Sequence, residues 1–119
     1  MGNPQKAKGD RAELEAAKLL TDLLGTPVQR KLGAGRTEDT GDLYGVAGTV
    51  VEVKSYKDVT AGIRSAMGGL ETKRVNANAT HAVALIRRPG GEWVAVMTLN
   101  QWAKYHANSL DTHTVPGVP

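Results

Sequence analysis

A mixed β-sheet flanked by helices, an α/β fold in a single domain, is the architecture that this sequence predicts. Three observations carry the prediction. An amphipathic helix opens the chain. A tight Ala47-Gly48 turn joins two short strands. A second helix leads into the continuous apolar run His81-Ala82-Val83-Ala84-Leu85-Ile86, of the kind buried on both faces. The order helix, three strands, helix, strand, strand, helix suits a sheet with helices packed against it.

Each element has a local reason. Residues 1–8 are polar and lysine-bearing and read as a loose arm. A helix over 11–24 follows, with Asp10 placed to cap it and Gly25 to end it. Glu13, Ala16, Ala17, Leu20 and Leu24 share one stripe of that helix, while Arg11, Glu15, Lys18 and Asp22 share the charged one. Glu15 thus reads as a solvated residue supported by Arg11 and Lys18. Glu13 heads the apolar stripe and either reaches water at the helix edge or faces the sheet. Residues 27–32 form a short strand, and the Gly-, Thr- and Asp-containing stretch 33–40 is a loop. Gly33-Ala34-Gly35 is no dinucleotide fingerprint, because Glu38 takes the third glycine position and no helix follows. Strands over 42–46 and 49–56 make the hairpin. Asp58 caps a helix over 59–78, in which Gly68-Gly69 either breaks the helix or admits another backbone. After the strand 81–86, the turn at 87–91 leads to a strand over 92–98. Asn100 caps a short helix over 101–107, and 109–119 is a tail.

The totals exclude several functions. A chain of 119 residues suits one domain with a modest core. Cysteine is absent, which removes disulfides, thiolate zinc sites and a cysteine nucleophile. No apolar run approaches the ~20 residues that a membrane helix needs. The polar N-terminus lacks a secretory signal, so an intracellular, cytoplasmic location is expected. The net charge of +3 and a pI near 9.3 permit an anionic partner without demanding one.

The chemistry lies in Gly41-Asp42-Leu43 and Val50-Val51-Glu52-Val53-Lys54. Side chains alternate along a strand, so Glu52 and Lys54 share one face and Val51 and Val53 the other. A charge on a valine-rich strand is costly unless it is paired or holds a metal. The hairpin places Asp42 beside Glu52, and the first helix, packed across the sheet, brings Glu13 over them. Three gathered carboxylates repel one another unless a divalent cation lies between them. Their hard oxygen donors favour Mg²⁺ or Mn²⁺ over zinc. Such a cation, with Lys54 beside it, suits phosphodiester hydrolysis.

In this order of elements, Asp42 followed by Glu52-Val53-Lys54 resembles the PD-(D/E)XK nuclease superfamily, with Gly41 in place of a frequent proline. The sequence is most similar to the archaeal-type Holliday junction resolvases and their phage relatives. Lys8-Gly9-Asp10-Arg11-Ala12-Glu13, Leu32-Gly33-Ala34-Gly35-Arg36 and Ala66-Met67-Gly68-Gly69-Leu70 carry that similarity, which covers about residues 8–98. The resemblance implies a restriction-endonuclease-like αβββαβ core. It also implies Glu13, Asp42 and Glu52 as metal ligands together with the Val53 carbonyl, and Lys54 as the catalytic lysine. The implied activity is Mg²⁺-dependent cutting of branched DNA, most specifically four-way junctions, with two Mg²⁺ per site and a two-fold homodimer to make matched cuts. A restriction- or repair-type nuclease and a non-catalytic DNA-binding module of the same fold are the alternatives.

Arg11, Arg30, Lys31, Arg36, Lys57, Arg64, Lys73 and Arg74 are candidates for holding DNA phosphates round the acidic site, or else are solvated charges. Arg87-Arg88, at a turn, reads as solvated. His81, His106 and His113 lack ligand spacing, and His81 reads as a core or edge residue. Trp93 and Trp102 pack the core or an interface, where the strand over 92–98 and the helix after it are the expected dimer contact.

Overall fold

The structure, a computed structural model, describes residues 4–31 and 41–112. Helix α1 (Pro4–Leu24) is followed by strands β1 (Gln29–Arg30), β2 (Leu43–Tyr44) and β3 (Thr49–Ser55). Then come α2 (Val59–Met67), α3 (Leu70–Asn76), β4 (His81–Arg87), β5 (Trp93–Val96) and α4 (Leu99–Thr112). The strands form one mixed sheet in the order β1-β2-β3-β4-β5. The pair β3–β4 is parallel and the other three pairs are antiparallel. The expected α/β architecture and element order are therefore present.

The core has two sides, set by strand alternation. Ala12, Ala16 and Ala17 of α1 pack with Val28, Leu43, Val51 and Val53. On the other face, Val50 and Ala82 meet Leu70, while Ala84 and Ile86 meet Ala66. Alanines on α1 let that helix lie close to the sheet. Gly62 does the same for α2, because a Cβ there would stand 3.1 Å from Ile86 Cγ2 and 3.2 Å from Tyr56 Cδ2. Position 62 is therefore the close-approach glycine, whereas Gly68-Gly69 divides the second helix into α2 and α3. Asp58 caps α2 as expected, its carboxylate accepting from the Thr60 N–H at 2.9 Å.

Several boundaries differ from the sequence reading, each for a local reason. α1 begins at Pro4 rather than after Asp10, so residues 4–8 belong to the helix and not to a loose arm. Proline suits a first helical turn, and that turn carries no apolar stripe to betray it. Asp10 is consequently no cap; its carboxylate takes Arg30 Nη2 at 2.7 Å. β1, β2 and β5 are shorter than read, with two, two and four residues. α4 starts at Leu99 and runs through Thr112, into the expected tail. Thr98, not Asn100, caps it: its hydroxyl accepts from the Gln101 N–H at 3.1 Å. Gln101 then reaches Thr80 O at 3.3 Å and His81 Nδ1 at 2.8 Å, which ties α4 to the start of β4. His81 is buried, in agreement with its core reading, and burial followed by the nearby Lys104 charge lowers its pKa. Among the described residues no helix is long and apolar enough to cross a membrane.

The turn into β2 depends on Gly41, whose φ is +99°. A Cβ there would lie 2.8 Å from Val50 Cγ1 and 3.2 Å from Val51 O. Proline, fixed near −65°, could not adopt this conformation either. Gly25 has a φ of +73° but open space around it. Gly41→Ala should therefore lower stability by about 3 kcal/mol, from strain and clash together. Gly25→Ala should cost only about 1 kcal/mol, from conformation alone. Urea denaturation of the two variants checks the difference.

Candidate active site

Asp42 stands where β2 parts from β3. Its N–H donates to Val51 O and its carbonyl accepts from Lys31 N–H, both at 2.9 Å. The neighbouring stretch of β3 has lost its strand partner, and the Asp42 carboxylate supplies the missing acceptor: Oδ2 takes the Val53 N–H at 2.8 Å. A carboxylate is thus locked against the strand that carries Glu52 and Lys54.

Glu52 is 1% exposed, on the sheet face covered by α2 and α3. Its Oε2 lies 2.7 Å from Lys73 Nζ and 3.8 Å from Lys54 Nζ. Its Oε1 is buried without a hydrogen-bond partner among the described residues. Burial pushes the Glu52 carboxyl above the ordinary glutamate value of 4.5, and the negative charge of Asp42 adds to that; Lys73 and then Lys54 pull it back only in part.

Glu13 approaches from the α1 side. Arg30 Nε holds its Oε1 at 3.0 Å while the other end of the same guanidinium holds Asp10. Its pKa is raised too, by burial first and by Asp42 and Asp10 later in rank, against the opposing Arg30. Asp42 thus acts on both glutamates. α1 brings Glu13 toward Asp42, as expected of a helix packed across the sheet, and the two glutamates come from opposite faces of β3, with Asp42 interacting with each.

An open groove of about 610 Å³ joins these parts, lined by Lys8, Glu13, Asp42, Val53, Lys54 and Lys57, with Gly9, Ser55 and Tyr56. Glu52 does not line it, but its Oε2 lies 3.8 Å from the Nζ of Lys54, which does. Among the described residues, no three acidic or histidine side chains are gathered closely enough to hold a metal as they stand. Glu13 is turned onto Arg30, Glu52 onto Lys73 and Asp42 onto a backbone N–H. The donor set nonetheless suits a hard cation in one respect: Glu52 Oε1 is an oxygen buried at a cost, with nothing to satisfy it.

The basic candidates divide. Lys54 and Lys57 line this groove and Arg11 lines the next one. Arg30 and Lys73, read as phosphate ligands or surface charges, instead compensate the acids from inside. Arg74 braces α3, pairing with Glu71 and donating to Ala79 O at 2.9 Å. Lys31 and Arg64 line neither groove. Arg36, with the loop 33–40, lies outside the described residues. Glu15 is not merely solvated: its carboxylate joins Arg87 Nε at 2.9 Å and accepts from Trp93 Nε1. Sequence reading missed Lys8, Ser55 and Arg87 as groove residues. Ser55, directly after Lys54, was the one signal within reach. Comparison with known protein families, with characterised proteins and with solved structures finds no match.

A carboxyl with a higher pKa folded than unfolded favours the fold while protonated, and that contribution is lost as pH rises through the folded value. Glu52 accordingly strains the fold from 4.5 upward, most of all without its counter-charge. Lys73→Ala should lower stability at pH 7 by about 3 kcal/mol. The loss should be smaller at pH 5 than at pH 7, because a raised carboxyl pKa eases protonation as the pH falls, and Glu52→Gln in the same background should abolish that pH dependence. Urea titrations at both pH values measure each effect.

Proposed function

We propose that the chain is a metal-dependent DNA endonuclease of the PD-(D/E)XK type, and that branched DNA, a four-way junction in particular, is its substrate. The observation that carries the reading is the Glu52 carboxylate. It is kept almost fully buried on a central strand with one oxygen unsatisfied, next to Asp42 and two residues before Lys54. A core strand selected for stability alone would carry an apolar residue there. A binding surface for phosphates gains nothing from a buried carboxylate oxygen left without a donor. A group that must receive a cation explains both features.

Asp42, Glu52 and the Val53 carbonyl would hold Mg²⁺, or Mn²⁺ in its place, with Glu13 on the α1 side. When bound, the cation supplies Lewis-acid stabilisation of phosphoryl oxygens and an acidified water. The protein's own groups do the remaining work. Lys54 places an ammonium over the groove, where it can orient a water and offset charge on the phosphate. The Asp42–Val53 hydrogen bond keeps the carboxylate in register with β3. Lys57 and Lys8, on the rim, attract the backbone of the nucleic acid. Lys73 and Arg30 neutralise Glu52 and Glu13 in the absence of metal, so the acids are held apart from mutual repulsion at the cost of an exchange when a cation enters.

A junction needs two matched cuts, and one chain carries one such site, so the reading includes a two-fold homodimer. Leu99, Trp102 and Tyr105 of α4 are exposed and β5 is an edge strand, and on these two elements we place the second copy. A monomer at micromolar concentration in sedimentation would count against it. One observation favours a second reading: each acid already has a partner within the protein, as a non-catalytic DNA-binding module would require.

Cleavage of labelled four-way junction, linear duplex, flap and single strand, with and without Mg²⁺, separates these readings. Wild-type protein should cut the junction only with the metal. Asp42→Asn and Lys54→Ala should lose at least about 100-fold in rate while still binding. Mg²⁺ should raise the unfolding temperature of wild type but not of Asp42→Asn, because only a folded-state ligand stabilises. Absence of both effects would leave the binding module as the better description.

A further inference from the structure

A second groove, of about 420 Å³, lies beside the acidic one. It is lined by Lys8, Arg11, Ala12, Glu15, Ser55 and Arg87, and it shares Lys8 and Ser55 with its neighbour. Three cations face one carboxylate. The groove opens at the carboxyl ends of the parallel strands, where Ser55 ends β3 and Arg87 ends β4 as register partners. In open α/β sheets this is the end at which ligands collect.

Arg87 is not a loose surface charge. Trp93, its register partner on β5, donates through Nε1 to the Glu15 carboxylate, and Arg87 Nε meets the same Glu15 oxygen at 2.9 Å. Glu15 thus holds the guanidinium by its inner nitrogen and leaves the two terminal nitrogens outside that pair. The Arg87 and Trp93 hydrogen bonds also keep Glu15 ionised, lowering its pKa. A guanidinium fixed by its inner nitrogen loses less freedom when it binds, and its planar fork matches a phosphate.

We propose that this groove is a second phosphate site. It takes a backbone phosphate of the DNA strand neighbouring the one in the acidic groove, with Arg87 as the oriented fork, Lys8 and Arg11 as flanking cations and the Ser55 hydroxyl as a further donor. The assignment rests on the DNA reading above, but it requires no metal and no cutting. Strand direction would then be set by two grooves that share one lysine, and the phosphate in the acidic groove would be positioned from its neighbour.

The test measures anisotropy of fluorescein-labelled duplex and four-way junction against salt, without divalent cations and in the Asp42→Asn background, so that nothing is cut. Arg87→Gln should weaken binding about tenfold and reduce the slope of log K against log salt by about one. Arg11→Gln, altering an exposed side chain that cannot unfold the protein, should reduce the slope similarly. Arg88→Gln, outside the groove, should change neither. Glu15→Ala discriminates further. It removes a negative charge, so a groove acting by net charge alone would bind more tightly, whereas loss of the oriented fork makes binding about threefold weaker. Unchanged affinity and slope in Arg87→Gln and Arg11→Gln, or tighter binding by Glu15→Ala, overturns the proposal. Cutting by wild type with Mg²⁺ alongside unaltered slopes would remove the second site and leave the nuclease reading intact. Slopes that depend on Arg87 in a protein that cuts nothing would do the reverse.

Discussion

Glu52 occupies a central strand with 1% of its surface exposed, and an ionised carboxylate out of water costs several kcal/mol unless charge or hydrogen bonds replace the solvent. The surroundings answer that demand unequally. Lys73, sent across from α3, meets one oxygen at 2.7 Å, Lys54 lies farther off, and the second oxygen receives nothing from the described residues. α3 therefore does more than cover Val50 and Ala82: it delivers the counter-charge without which β3 could not carry an acid. The break at Gly68-Gly69 marks where α2 ends and the helix that carries Lys73 begins.

Asp42 extends this logic to the other face. Two residues of β2 pair with their neighbours, and then the strand ends. The carboxylate takes over as acceptor for Val53, and from that position it raises the pKa of Glu52 on one face and of Glu13 on the other. Where β2 parts from β3, acids from α1 and from β3 thus interact through a common neighbour. Gly41, at a φ of +99° and hard against Val50, is what lets the chain reach that edge.

The acids and the bases of this surface are not scattered counterparts of one another. Arg30 and Lys73 act beneath the surface, each spent on a glutamate, while Lys8, Arg11, Lys57 and Arg87 remain along two connected grooves. Lysines and arginines therefore line the same grooves as Glu13, Asp42 and Glu15. Trp93 and Glu15 link the second groove to the core, because the residue that packs against the α1 side of the sheet also orients the arginine at its end.

Much of the fold was legible in residue order alone. The alternation of Val51 and Val53 with Glu52, the apolar run at His81, the Asp58 cap and the Ala47-Gly48 turn are local signals, and the structure keeps each of them. The acids were legible as well, because a charge in a valine strand is conspicuous in one dimension. What failed depended on partners distant in sequence. Nothing near Lys73 says that it points inward at a residue 21 positions earlier, and nothing near Glu15 says that residues 87 and 93 converge on it. The start of α1 at Pro4 was hidden because its first turns bear no apolar stripe. The sequence by itself determined the order and type of the strands and helices and where a buried charge had to be reconciled. Only the tertiary structure decided which cations reconcile it and which face outward, because pairing depends on how helices cross a sheet and not on spacing along the chain.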